Sequence, residues 1–318
     1  MPLPLIPLLL GGAGLFGAGK LAGSYLNNDE ARKINADARE LVDHGEDIME
    51  TAQNYTAKSL ASLGEQKVFI LEGSIKNFIN IFSQIKDVKF ETNSNIDELK
   101  DFQLDDKSFN SLHDMSNNAS LLSGAGRNIL TAFGAYSAVS MLSLSSSAII
   151  SNLGGAAAGA TLSFLGGGTI AAGVTSVLGG VLTAPVLAVL GIFLESSSSR
   201  NLEDARSNKI QALKFLKEIE ISVSACNGIR KMSYMFWRLL MRLDILLSKS
   251  NEEMKQIINK NGTDYKNFSP DEKKTVAASA SLAKAVKTIL DTPILTEDGK
   301  LTQESLTAAN AVRGILPE

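Results

Sequence analysis

The chain of 318 residues has a single cysteine, Cys226, and only two histidines, His44 and His113. One cysteine excludes an intrachain disulfide and is compatible with a reducing compartment. Two separated histidines with no cysteine cluster nearby offer no zinc site. They are read as surface or interface residues. Cys226, without a histidine partner in the sequence, is read as a small core residue rather than a nucleophile. The 31 cationic and 34 carboxylate side chains leave a net charge of −3, so the basic excess that nucleic acid requires is missing. Proline is scarce and three of its seven copies are Pro2, Pro4 and Pro7. They disfavour a regular helix at the very start. No cation precedes Lys20, whereas a secretory signal opens on Lys or Arg, so no cleaved signal is expected. The largest absence is local: residues 128–194 contain no Asp, Glu, Lys or Arg.

What is present is helical pattern. Residues 1–27 form an apolar, glycine-rich segment, near the short limit for a membrane span. Residues 28–122 are read as an amphipathic helical region, with charged helix formers up to about Val88 and a polar, mixed stretch after it. Within them Val68, Leu71, Ile75, Phe78, Phe82 and Ile85 alternate spacings of three and four, which places one apolar stripe on a helix that packs against another helix. Gly64 is expected to break or bend that helix. Asn93, Ser94 and Asn95 mark a turn, and Phe102, Leu104, Phe109 and Leu112 predict short packed helices. Residues 196–260 predict a second long amphipathic helix. Its core face is assigned to Ile210, Leu213, Leu216, Ile219 and Val223, then Met232, Met235, Phe236, Leu239, Leu243 and Leu246. Residues 261–318 hold short helices. Asn261-Gly262 and Asp298-Gly299 are turns. Ser269-Pro270-Asp271-Glu272 spells a helix start with a capping box, and Thr302 caps a last helix. No strand pattern is found. The expected fold is all-α, with long amphipathic helices around a hydrophobic glycine- and serine-rich hairpin.

That hairpin is assigned to residues 123–195, flanked by Arg127 and Glu195. A span needs about 20 apolar residues at 1.5 Å rise each, so the length suits two spans and a connection. Residues 129–150 form the expected first arm and 170–194 the second. Two spans return the chain to its starting side, where the flanking helices can pack together. Gly155, Gly159, Ser163, Gly167, Ala171, Thr175, Gly179 and Thr183 fall every fourth residue. On a helix they make a ridge of small side chains, which lets a second helix approach closely in lipid. Pro185 would kink the second arm, and the first arm is serine-rich.

Chemistry is sparse. Residues 14–21, GLFGAGKL, approach the phosphate-binding loop, but Leu21 stands where a magnesium-binding Ser or Thr belongs, and no strand ending in a metal-binding Asp is found downstream. An apolar segment with a boundary Lys20 is the better reading. No catalytic, cofactor-binding or metal-binding residue is assigned, and the chain is expected not to be an enzyme.

The opening MPLPLIPLLLGG, the central GAAAGATLSFLGGGTIAAG with LGGVLTAPVLAVLGIFL, and the ending ILDTPILTEDGKLT together resemble a family of poorly characterised bacterial glycine-zipper helical membrane proteins. The resemblance touches the start, middle and end of the chain and implies no catalytic residues. In layout the chain is also similar to α-helical pore-forming toxins and apolipoprotein-L-like proteins. The expectation is a membrane-inserting protein that oligomerises through the small-residue ridge and forms a pore or perturbs the bilayer. The alternatives are a constitutive membrane-anchored scaffold, its amphipathic coiled-coil helices binding partner proteins, and a soluble bundle with a buried glycine-rich hairpin. Its partners are then the lipid bilayer and further copies of itself, not nucleic acid. Its expected place is the cytoplasmic face of the bacterial inner membrane, or the cytoplasm with conditional insertion.

Overall fold

A computed structural model describes residues 23–88, 104–138, 142, 202–296 and 299–316. Its elements are α1 (Gly23–Ile70), a π-helical turn (Leu71–Ile75), α2 (Lys76–Phe82), α3 (Asp106–Ala119), α4 (Arg127–Ala135), α5 (Leu202–Asn261), α6 (Pro270–Asp291) and α7 (Gln303–Ile315). The fold is all-α, and among the described residues only isolated bridges pair extended backbone. The small-residue ridge from Gly155 to Thr183, Glu195, the N-terminal segment before residue 23 and the Asn93–Asn95 turn lie outside the described residues.

Two helices make the frame. α1 and α5 run side by side in the same direction. Asn208 donates to Asn35 at 3.0 Å near one end, and Ser233 to the Ser59 carbonyl at 2.9 Å midway. Asn251 donates to the Ser74 carbonyl at 2.8 Å, and a parallel bridge joins Lys86 to Asp264 at the far end. On α5 the buried positions Ala205, Ala212, Ile219 and Cys226 recur every seven residues, as do Asn208, Phe215, Ser222 and Ile229. This is the seam of a two-stranded coiled coil. Small residues dominate its first half because the two backbones come close. A Cβ on Gly45 would stand 2.9 Å from the Phe215 ring, so the glycine makes room for the seam's one aromatic there.

The expected core face of the first half of α5 was therefore misplaced. Ile210 and Leu213 are 56% and 48% exposed, and Leu216 and Val223 are half-buried. Of that set only Ile219 is fully in the seam. In the second half Met232, Phe236, Leu239 and Leu243 are buried as expected.

The stripe from Val68 to Ile85 faces the core, with Phe82 half-buried against Phe78 and Phe109. Gly64 does not break α1, which is helical on both sides of it. The irregularity comes later, at the π turn, whose loosened ladder finds outside donors. Ser116 donates to the Leu71 carbonyl at 2.9 Å, and Asn251 serves Ser74. The predicted capping box is present: Glu272 N–H donates to Ser269 Oγ at 3.3 Å and Ser269 N–H to Glu272 Oε2 at 2.8 Å. Thr302 caps α7, accepting from Ser305 N–H at 3.2 Å. Gly262 and Gly299 both take φ of 77°, the left-handed region that these two turns require.

The first arm expected over 129–150 is not one helix. α4 stops at Ala135 because Tyr136 turns extended, with φ −108° and ψ 173°. Residues 131–135 are buried against the frame. A boundary at 123 thus separates α4 from the bundle to which it belongs.

Candidate functional site

The sequence singles out the start of the uncharged stretch, and α4 is the helix of it that lies among the described residues. Arg127, the expected flank, is the first residue of α4 and is exposed. Its carbonyl accepts from Thr131 Oγ1 at 2.9 Å, and Thr131 reaches the Ala57 carbonyl at 3.3 Å.

α4 meets α1 at a crossing of two glycines. A Cβ on Gly64 would stand 2.0 Å from the Leu130 carbonyl oxygen, and a Cβ on Gly134 would stand 1.9 Å from that of Leu60. No side chain fits at either place, so the two backbones are in direct contact. Each helix carries a leucine four residues before its glycine, Leu60 on α1 and Leu130 on α4. The chemistry is that of small-residue helix crossings in lipid, here between helices of the folded frame.

Three residues on from Gly64, Lys67 is fully buried. Its Nζ donates to the carbonyls of Phe133 at 3.0 Å, Gly134 at 3.2 Å and Tyr136 at 2.8 Å. The remaining carbonyl in this run, that of Ala135, accepts from Ile294 N–H at 2.8 Å and Leu295 N–H at 3.2 Å. The last carbonyls of a helix have no partner within it and carry its negative end. At α4 a cation from α1 and two amides from the segment after α6 satisfy all four. The chain enters its uncharged stretch through a fully occupied clamp.

Burial pushes the Lys67 ammonium down to about 7, and the Asp291 carboxylate opposes that shift. Asp291 is itself paired with the buried Lys287 on α6. A lysine so depressed is a chemical candidate for a base or an amine nucleophile. As an ammonium it gives all three of its protons to backbone oxygens and so holds α4. Cys226 is buried in the seam, where burial raises its thiol pKa. His44 and His113 are exposed and lie on different elements.

The sequence reading missed this clamp, although a signal was there. Lys67 continues the buried positions Leu60, Leu63 and Ile70, and a lone cation on an apolar face needs a buried partner. Gly64 stood out as well, but as a breaker rather than as a contact. Among the described residues no helix is long and apolar enough to cross a membrane. No protein-family model, curated protein or solved structure matches the chain.

Proposed function

We propose that the protein is a membrane-inserting helical protein, in which the uncharged stretch beyond α4 enters the bilayer and the helical frame stays outside it. The observation that carries this reading is the absence of every Asp, Glu, Lys and Arg from residues 128–194. Charge is what keeps a long surface segment in water, and a bilayer tolerates its absence. Small residues at every fourth place from Gly155 to Thr183 support self-association in lipid, and thereby a pore or a local perturbation of the bilayer. The serines that precede them suit a wet lumen.

One observation favours a second reading, a constitutive anchor carrying a helical platform. The Lys67 clamp leaves no carbonyl of residues 133–136 unpaired, so the frame needs no rearrangement to accommodate an inserted stretch.

Carbonate extraction of cell membranes tests the shared part. The comparison is between the intact chain and a variant in which residues 143–201 are replaced by about forty Gly/Ser residues, sparing α4. The intact chain is expected to resist extraction and the variant to be soluble. Recovery of both in the soluble pool, with no trigger able to move the intact chain onto liposomes, sinks the proposal. Dye leakage from liposomes then separates pore from anchor.

A further inference from the structure

The frame has two long flanks. On one, Leu60 and Lys67 of α1, Ser74 of the π turn, and Met232 and Leu239 of α5 are buried. On the other, the positions at the same seven-residue spacing are open: Tyr55 and Phe69 on α1 are 49% and 62% exposed. α5 continues this bare flank with Arg230, Tyr234, Trp237, Arg238, Met241 and Ile245, spaced to fall on one helical face. Tyr234 is 58% exposed and Ile245 64%, and Trp237 is half-buried.

These side chains are already organised into one surface. The Arg230 guanidinium lies 5.3 Å from the Tyr55 ring centre, tying the α5 face to α1. Lys58 approaches the same ring at 5.6 Å. Tyr234 stacks on Trp237 with centroids 6.2 Å apart, and Arg238 stands 5.9 Å from the Tyr234 ring. The charge has one dominant sign. From residue 221 to 243 of α5 there are Arg230, Lys231, Arg238 and Arg242 and no carboxylate. Glu65, Glu72 and Asp244 are the carboxylates nearest in sequence to its exposed positions.

Tyrosine and tryptophan rings prefer the headgroup layer of a bilayer, and cations beside them are drawn to an anionic leaflet. Apolar tips such as Met241 and Ile245 reach just below that layer. We propose that this flank, from Tyr55 and Arg230 to Phe69 and Ile245, docks on the surface of an anionic bilayer. The inference rests on the membrane reading above and assigns it the side of the frame that faces lipid.

Trp237 is the only tryptophan of the chain, so its fluorescence reports this flank alone. The full-length protein is titrated with vesicles of phosphatidylcholine, and with vesicles in which about a third of the lipid is phosphatidylserine. The expected result is a blue shift of the emission, with protection from an aqueous quencher, on the anionic vesicles only. Salt at about 0.5 M should reverse it by screening. The double variant R230E/R238E should bind at least tenfold more weakly. Tyr234→Ser should also weaken binding, with its circular dichroism unchanged.

Vesicle binding without any Trp237 shift overturns the docking flank. So does a blue shift that grows with protein concentration in the absence of lipid, which makes a second copy the occupant. The two proposals fail separately. Carbonate-resistant insertion with an unshifted Trp237 sinks the flank and keeps the function. A salt-reversible shift with all protein soluble in carbonate keeps the flank and sinks insertion.

Discussion

Lys67 shows what one residue contributes at the entrance to the uncharged stretch. As an ammonium its three donors replace three hydrogen bonds that α4 cannot make for itself. Against this stands the burial of a charge, which holds its pKa near 7 in the folded chain, compared with the ordinary 10.5. Between those two values the unfolded chain binds the proton and the folded chain does not. The contribution of Lys67 to stability therefore rises with pH through that window and is flat below it. Between about pH 7.5 and 9 the rise should be on the order of 1 kcal/mol per pH unit, read by urea denaturation. Lys67→Met should abolish this slope. At pH 9, where Lys67 is a neutral amine with two N–H donors, the variant should also be less stable than the intact chain, by about 1–3 kcal/mol, because two of the three carbonyls lose a donor. An unchanged slope in Lys67→Met would assign the pH dependence to other groups.

Between elements, the closest approach is made by what is missing from Gly64 and Gly134. A methyl group at either has nowhere to go, since the atoms in its way are backbone. Gly64→Ala and Gly134→Ala should each cost about 2 kcal/mol or more, because α4 must move off α1. Gly73, in the π turn and with nothing within 4 Å of an added Cβ, supplies the control. Gly73→Ala should be neutral or stabilising by up to about 1 kcal/mol. Thermal melts of the three variants decide the matter, and equal losses at Gly64 and Gly73 would mean that backbone freedom rather than contact is responsible. The way each element packs explains which parts of the pattern were legible. The stripe Val68–Ile85 and the caps at Ser269 and Thr302 were readable because large apolar residues and capping side chains act locally. The first half of α5 was not, because its seam is built from Ala205, Asn208, Ala212, Ser222 and Cys226. Hydropathy ranks these below Ile210 and Leu213, which the fold leaves on the outside. The Asn35–Asn208 pair sits in that seam, where a buried amide pair fixes register at some loss of stability.

At the scale of the whole molecule, the direction of α5 is the feature that periodicity could not supply. Two spans returning to one side were expected to let the flanking helices pack, and α1 and α5 do pack, but in parallel. Leu142, the last described residue before residues 143–201, and Leu202, the first after them, therefore lie near opposite ends of the frame. Leu142 is held by Asn118 at 3.5 Å, close to where Ser116 meets Leu71. Leu202 begins α5 one to two turns before Asn208, which pairs with Asn35. At 1.5 Å per residue along α1 these two points are about 60 Å apart. Residues 143–201 must bridge that distance whatever else they do, and a tight hairpin with adjacent ends does not. If the stretch inserts, both ends of the frame come to the bilayer, and its long axis lies along the surface rather than upright. The bridging distance is testable without lipid. A linker of about ten residues in place of 143–201 reaches at most about 35 Å. It should break the α1–α5 pairing at the Asn35–Asn208 end, exposing that half of the seam to proteolysis. A Gly/Ser linker of about forty residues has ample contour length to close the gap and should restore protection. Equal protection with both linkers would require α1 and α5 to pair in the opposite sense, with the ends of the stretch side by side.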